Sequence, residues 1–317
     1  MKIDSGVSRS TLAHVLLLAV VFVWGATFVF IKDALNDVSP LLFNLLRMAL
    51  AALVLLAIYG RSLRTLSRSG WMMGLLAGVF LAAGYQFQTA GLRLTTPSRS
   101  AFLTGLVVVF VPFLSLSKRL RVPGAPRPTL TAFVGAALGF GGLALLAVPP
   151  GAPWALASIG PGEVLTIACA FAFALHLLCL AHGSLRVPYQ ALAAVQISVA
   201  ALLMAMTLPV FERHPFLHAT PRFFLAWLIA ALLATAAAFS IQSWAQGFLP
   251  ASHTALILAL EPVFAAATSF VVLGERLHGR ALLGAGLVLA AIAVSELFPS
   301  AGVQPTAHEA VPPIPIP

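Results

Sequence analysis

Apolar segments of about 20 residues recur ten times along this chain, and that recurrence limits its folding more than any other feature. A helix needs about 20 apolar residues to cross the hydrocarbon of a bilayer. The segments run roughly 11–31, 39–60, 71–91, 97–117, 130–148, 162–182, 187–209, 222–243, 251–273 and 280–298. Of the 317 residues, 60% are hydrophobic and only 9% are charged. A soluble domain carries about 25% charged residues. This chain has too few to coat a globule, so lipid must be its main solvent. The fold class expected is an all-α integral membrane protein with ten transmembrane helices.

The basic residues fall mainly in the short gaps between apolar segments, where membrane proteins keep their orientation signals. With the N-terminus in the cytoplasm, 10 Lys or Arg lie inside and 7 outside, with Arg47 left within a span. The first five segments favour this orientation 9 to 3, and the last five oppose it 1 to 4. The first half usually dominates. A multi-pass protein of the cell inner membrane, with both termini cytoplasmic, is therefore expected. Nucleic acid is excluded as a partner, because no clustered basic stripe with interleaved aromatics is present. Cys169 and Cys179 lie ten residues apart in one span. On a helix that is about 15 Å, too far for a bridge. The first segment is too long for a signal-peptide core and leads straight into further spans, so it is read as a retained helix.

One stretch aligns with another across the chain. Sliding residues 88–115 by 154 positions sets Gln88 on Gln242, Ser98 on Ser252, Phe110 on Phe264 and Ser115 on Ser269. A shifted offset of 149 sets Gly135-Ala136 on Gly284-Ala285 and Arg47 on Gln196. Two copies of a five-helix unit follow. Five is odd, so if one copy starts inside, the other starts outside. The copies are then inverted about an axis in the membrane plane, a plan that places a binding site near the midplane between them. The expected division is 1–148 for the first repeat, 149–161 for a connector, 162–298 for the second repeat and 299–317 for a disordered, Pro-rich tail.

Several polar groups sit where they are costly. Glu261 and Pro262 lie side by side in the ninth segment. A charge at the bilayer centre costs about 2.5–3.5 kcal/mol on insertion scales. The side chain should therefore face the bundle interior, and Pro262 removes a hydrogen bond to the carbonyl of Leu258 and should bend the helix. A site for substrate or a coupling proton is one reading of Glu261; a protonated acid that locks packing is the other. Arg47, with Asn44 one turn away, either snorkels to the interface or anchors a carboxylate. Trp24, Thr27 and Phe28 share a helical face and form either packing or one wall of a cavity. Gln88, Gln242 and Gln246 are either interhelical glue or contacts to substrate. His176 is either a satisfied packing residue or a relay. The glycines of the fifth and tenth segments suit close packing between halves, or between protomers of a homodimer. No P-loop, GxSxG or metal-ligand cluster occurs, so no cofactor, metal or enzymatic activity is expected.

Taken in order, ATFVFIKDAL after a Trp-Gly pair, FNLLRMALAAL, GLRLTTPSRSAFLTGLVVVFVPFL and ALEPVFAAATSFVVLGERL followed by LLGAGLVLAAI resemble the EamA-type branch of the drug/metabolite transporter superfamily. The similarity spans about residues 11–297. It implies an inverted five-plus-five repeat, a central cavity and transport of small metabolites, often export of amino acids or related compounds. The family's Glu-Pro and Gly-Glu-Arg elements match at Glu261, Pro262, Gly274, Glu275 and Arg276, whereas the first copy has Val107-Val108 and no Gly-Glu-Arg. The first span also lacks the acid that small multidrug relatives carry there. The expected protein is a secondary transporter of small organic metabolites, an exporter working by alternating access. An importer, an intramembrane enzyme and a sensor are the alternatives. The expected substrate-contacting residues are Trp24, Phe28, Arg47, Gln88, His176, Gln242 and Glu261, and the expected partners are a small-molecule substrate and membrane lipid.

Overall fold

A computed structural model describes residues 8–94, 100, 103–147, 160–273 and 279–297. The proposed tail, most of the connector and the Gly274-Glu275-Arg276 element lie outside the described residues. Most of the rest is helical. In chain order the helices are α1 (Arg9–Ala34), α2 (Pro40–Tyr59), α3 (Arg68–Leu94), α4 (Val107–Leu114), α5 (Leu130–Ala147), α6 (Pro161–Ser184) and α7 (Tyr189–Phe211). Then come α8 (Pro221–Ala245), α9 (Ala251–Leu258), α10 (Glu261–Leu273) and α11 (Gly279–Leu297). A 3₁₀ turn, Gly60–Thr65, follows α2.

Local chemistry sets the starts of these rods. Ser8 caps α1 by accepting from the Thr11 amide at 3.1 Å. Thr220 caps α8 by accepting from the Phe223 amide at 3.1 Å. Pro40, Pro161 and Pro221 open α2, α6 and α8, where a missing amide hydrogen costs nothing. Among the described residues, seven helical stretches are long and apolar enough to cross a membrane, one of them, Ala251–Thr268, running across α9 and α10. Two further apolar stretches, Leu130–Leu145 and Leu282–Ala291, are shorter. Many large apolar side chains point outward: Phe211 is 73% exposed, Val271 78% and Leu53 67%. In water such a surface would aggregate; against acyl chains it is the expected coat.

Two of the expected spans are interrupted. The ninth breaks at Ala259–Leu260, between α9 and α10, just ahead of Glu261-Pro262. The fourth breaks at Gly105–Leu106, just ahead of α4. These two turns are equivalent under the 154-residue offset. The first copy has no proline at the matching place, so Gly105, not proline, loosens the rod there. The eighth span holds a feature that the sequence did not signal: Ile229–Ala237 is π-helical.

Small residues let the rods approach. A Cβ placed on Gly84 of α3 would lie 2.3 Å from the Phe173 ring of α6, and one on Gly142 of α5 would lie 2.6 Å from the Gly284 carbonyl of α11. The Gly-rich fifth and tenth spans thus meet within the chain. Toward the end of the bundle that holds the N-terminus, Leu17, Val21, Leu249, Leu256, Leu260 and Val288 form a buried apolar plug.

At the opposite end, the α1–α2 turn is stitched to the α7–α8 loop. The Ser39 amide donates to the Phe216 carbonyl at 3.0 Å, and the His218 amide to the Asp37 carbonyl at 2.6 Å. The Asp37 carboxylate accepts from Thr220 Oγ1 at 2.7 Å and from Arg222 Nε at 3.2 Å. Those hydrogen bonds, the Thr220 hydroxyl first and the guanidinium next, hold the Asp37 carboxyl below its ordinary value of 3.8. The Leu42 amide in the first turn of α2 donates to Glu212 Oε2 at 3.1 Å, an acid where the helix dipole favours one.

Candidate functional site

A cavity opens between the two halves of the chain. Its wall includes Trp24 of α1, Arg47 of α2, Gln88 of α3, His176 of α6, Gln242 of α8 and Glu261 of α10. Six of the seven sequence-predicted residues therefore border one space. The seventh, Phe28, has a side chain outside the described residues. The wall is largely aromatic. Tyr85 stands edge-on to Phe173 with ring centres 5.5 Å apart, Phe239 lies 5.4 Å from Trp24, and His176 lies 5.8 Å from Phe239. The lining continues past Ile31, Leu35 and Leu92 toward the α1–α2 turn.

Arg47 does not snorkel. It is 4% exposed and points into the bundle. Nε and Nη2 both donate to Thr235 Oγ1, at 3.1 and 2.9 Å, and Nη2 also reaches Tyr85 Oη at 3.5 Å. The guanidinium carbon sits 4.7 Å from the centre of the Tyr85 ring, within cation–π range. Asn44, one turn before it, donates to Thr89 Oγ1 at 2.7 Å and to the Tyr85 carbonyl at 3.3 Å, which fixes the α2–α3 contact that carries Tyr85.

Glu261 heads α10 just past the helix break and is half-buried, with one side open to the cavity. Among the described residues it has no hydrogen bond or ion pair, and no ion pair joins it to Arg47. The guanidinium and the carboxyl group thus share one cavity without closing on each other. Trp24 is tethered: its indole Nε1 donates to the Ala234 carbonyl at 2.7 Å.

His176 sits in a chain of side chains. Its Nε2 lies 2.7 Å from Gln196 Oε1, and Gln196 Nε2 donates to Ser243 Oγ at 3.0 Å. An amide oxygen only accepts, so with this amide orientation His176 carries its proton on Nε2. Packing therefore holds this histidine while its ring edges the cavity. Gln242 differs: it is 2% exposed, and among the described residues its Oε1 meets no donor. Gln246, one turn on, donates to the Leu177 carbonyl at 3.1 Å, so it acts as interhelical glue. Among the described residues no three His, Cys, Asp or Glu side chains are placed to hold a metal ion. Both cysteines are free thiols.

Sequence reasoning missed Thr235 and did not weigh Tyr85 or Phe239. Thr235 lies in the run ALLATAAAF, where nothing but a lone hydroxyl marks it.

A multi-pass helical bundle whose aromatic-walled cavity holds an arginine and a glutamate, in a setting that otherwise avoids such groups, has the architecture of a membrane transport protein. The EamA-like transporter family model matches the chain twice, at residues 11–148 and 160–297. The chain belongs to the EamA-like transporter family, within the drug/metabolite transporter superfamily. A protein of Archaeoglobus fulgidus described as an uncharacterized transporter is 31% identical over 287 residues, covering 89% of this chain and 84% of its own length. A second uncharacterized transporter of that organism is 26% identical over 267 residues, covering 83% of this chain and 90% of its own length. A solved crystal structure at 20% identity superposes with a TM-score of 0.73, covering 92% of this chain and 98% of the other. That likeness concerns the fold.

Proposed function

We propose that this protein is a secondary transporter that exports small organic metabolites bearing both a carboxylate and an amine, amino acids or related compounds, by alternating access between two inverted five-helix halves. The observation that carries this reading is Arg47: a guanidinium buried in a membrane-embedded cavity with no carboxylate partner among the described residues. An arginine inside a bilayer is expensive and normally paired. Left with only neutral partners, its remaining donors suit the carboxylate of a ligand, which guanidinium binds in a two-pronged geometry. Glu261 supplies the complementary charge for an amine or a coupling proton. The aromatic wall of Trp24, Tyr85, Phe173 and Phe239 suits an apolar body between the two.

Two family-model matches and two equivalent helix breaks support the paired halves. The excess of basic residues near the inner ends of the first half supports cytoplasmic termini. Export as the direction rests on the family resemblance.

Everted membrane vesicles and proteoliposomes, screened with a panel of labelled amino acids, their decarboxylated amines and their N-acetyl derivatives, test the reading. Saturable uptake into everted vesicles is expected for a compound carrying both charged groups. Arg47→Ala should remove preference for the carboxylate, and Glu261→Gln preference for the amine. Transport that ignores both groups would defeat the reading, and uptake only into right-side-out vesicles would reverse the direction.

A further inference from the structure

We propose that Thr235, presented by the π-helical turn of α8, is the positioning residue that holds Arg47 side-on and leaves the Nη1–Nη2 end of its guanidinium for a ligand's carboxylate. This rests on the reading of Arg47 as a carboxylate anchor.

The argument starts from the hydroxyl. Thr235 is fully buried, and its Oγ1 donates to the Ala230 carbonyl at 2.7 Å, five residues back. A threonine has one hydroxyl hydrogen and two acceptor sites. With the hydrogen committed to Ala230, the oxygen can only accept from the other side. There it meets two hydrogens of one guanidinium, from Nε at 3.1 Å and Nη2 at 2.9 Å. A guanidinium offers five hydrogens in a rigid plane. Thr235 takes its Nε–Nη2 edge and Tyr85 lies against one face. Among the described residues, the Nη1–Nη2 end, the second two-pronged edge, has no protein acceptor beyond the 3.5 Å approach of Tyr85 Oη.

The reach of five residues matches the i→i+5 hydrogen-bond register of the π-helix. A π turn inserts an extra residue and is frequent at functional sites. The same nine-residue turn, Ile229–Ala237, also offers the Ala234 carbonyl to the Trp24 indole. One irregular turn of the second half therefore orients both Trp24 and Arg47, which belong to the first two helices of the first half. In lipid an irregular backbone persists only where it is buried in protein or borders a cavity. Ala230, Ala231, Ala234, Thr235 and Ala236 of this turn are buried in protein.

Arg47 reactivity toward phenylglyoxal tests this in the purified full-length chain, with modification of Arg47 followed by mass spectrometry. Thr235→Val keeps the shape and removes the acceptor, whereas Thr235→Ser keeps it. Thr235→Ala takes the place of valine if valine prevents folding. We expect Arg47 to react about tenfold faster in Thr235→Val, the change that loss of one charge-assisted hydrogen bond carries. Thr235→Ser should match the wild type, with melting temperatures close in all three. Equal rates in all three would overturn the positioning role. Sodium benzoate is the second probe: it should slow Arg47 modification in the wild type and in Thr235→Ser, and much less in Thr235→Val. If benzoate fails to protect the wild type while the bare rates still differ, the anchor reading falls and the positioning role stands.

Discussion

Gly25 of α1 lies directly against the backbone of Glu261: a Cβ added there would sit 2.7 Å from the Glu261 carbonyl oxygen, 2.7 Å from Phe264 Cβ and 2.8 Å from the Ala265 amide nitrogen. None of these atoms belongs to a flexible side-chain end. The glycine beside Trp24 is what lets α1 press on the broken ninth span where the acid emerges into the cavity. Gly25→Ala should force α1 and α10 apart and cost about 1–3 kcal/mol, the range for overpacking. Transport should fall more than folding, because Trp24 and Glu261 would separate. A melting curve and a transport assay on Gly25→Ala check this; unchanged values in both would mean the contact tolerates the methyl group.

The two glutamines beside His176 should respond oppositely to the same change. Gln196 is fully buried and bridges His176 to Ser243. Gln196→Leu strands both partners and should cost about 1–3 kcal/mol, the penalty for unpaired buried polar groups. Gln242 already has an acceptor without a donor among the described residues. Gln242→Leu should leave stability level or slightly raised while weakening transport of an amine-bearing substrate. Thermal melting separates the two, and equal losses would show that Gln242 is packing and nothing more.

Helix positions were legible because the bilayer sets a length that composition reveals directly. The expected segments 39–60 and 187–209 correspond to Pro40–Tyr59 and Tyr189–Phe211, with proline and cap chemistry fixing the ends. The convergence of Arg47, His176, Gln242 and Glu261 on one cavity was legible for a related reason: lipid penalises each of them, so the bundle interior is where they go. What held each side chain was not legible. Snorkelling and anchoring look alike for Arg47 until Thr235 is seen, and a π turn in an alanine-rich run has no residue that announces it. The break at Gly105–Leu106 was hidden because the first copy lacks the Glu-Pro pair that drew attention to its counterpart.

The clasp between the α1–α2 turn and the α7–α8 loop should be indifferent to mild acid. Thr220 and Arg222 lower the Asp37 carboxyl below its ordinary value of 3.8. A carboxyl depressed in the folded state stabilises fully above its unfolded value and loses that contribution as pH falls through the folded value. The melting-temperature difference between wild type and Asp37→Asn should therefore stay constant from about pH 8 to pH 5 and close only below about pH 4. A difference that vanished already between about pH 7 and pH 5 would place the relevant proton elsewhere than on Asp37.

Glu261 is the residue through which a proton gradient should act. It borders the cavity at a helix break and, among the described residues, has no hydrogen bond or ion pair. A lone carboxylate in such a setting needs either a proton or a cationic ligand to stay. Amine and proton should therefore compete for one group, which is a direct means of exchange: the substrate leaves when the proton arrives. Glu261→Gln keeps the size and hydrogen-bonding reach and removes the titration. In proteoliposomes, equilibrium exchange of labelled for unlabelled substrate should persist within about tenfold of wild type, the loss expected for one weakened polar contact. Accumulation driven by an imposed pH gradient should drop to the level seen without a gradient. A Glu261→Gln variant that still concentrates substrate in proportion to the gradient would move proton coupling to another residue.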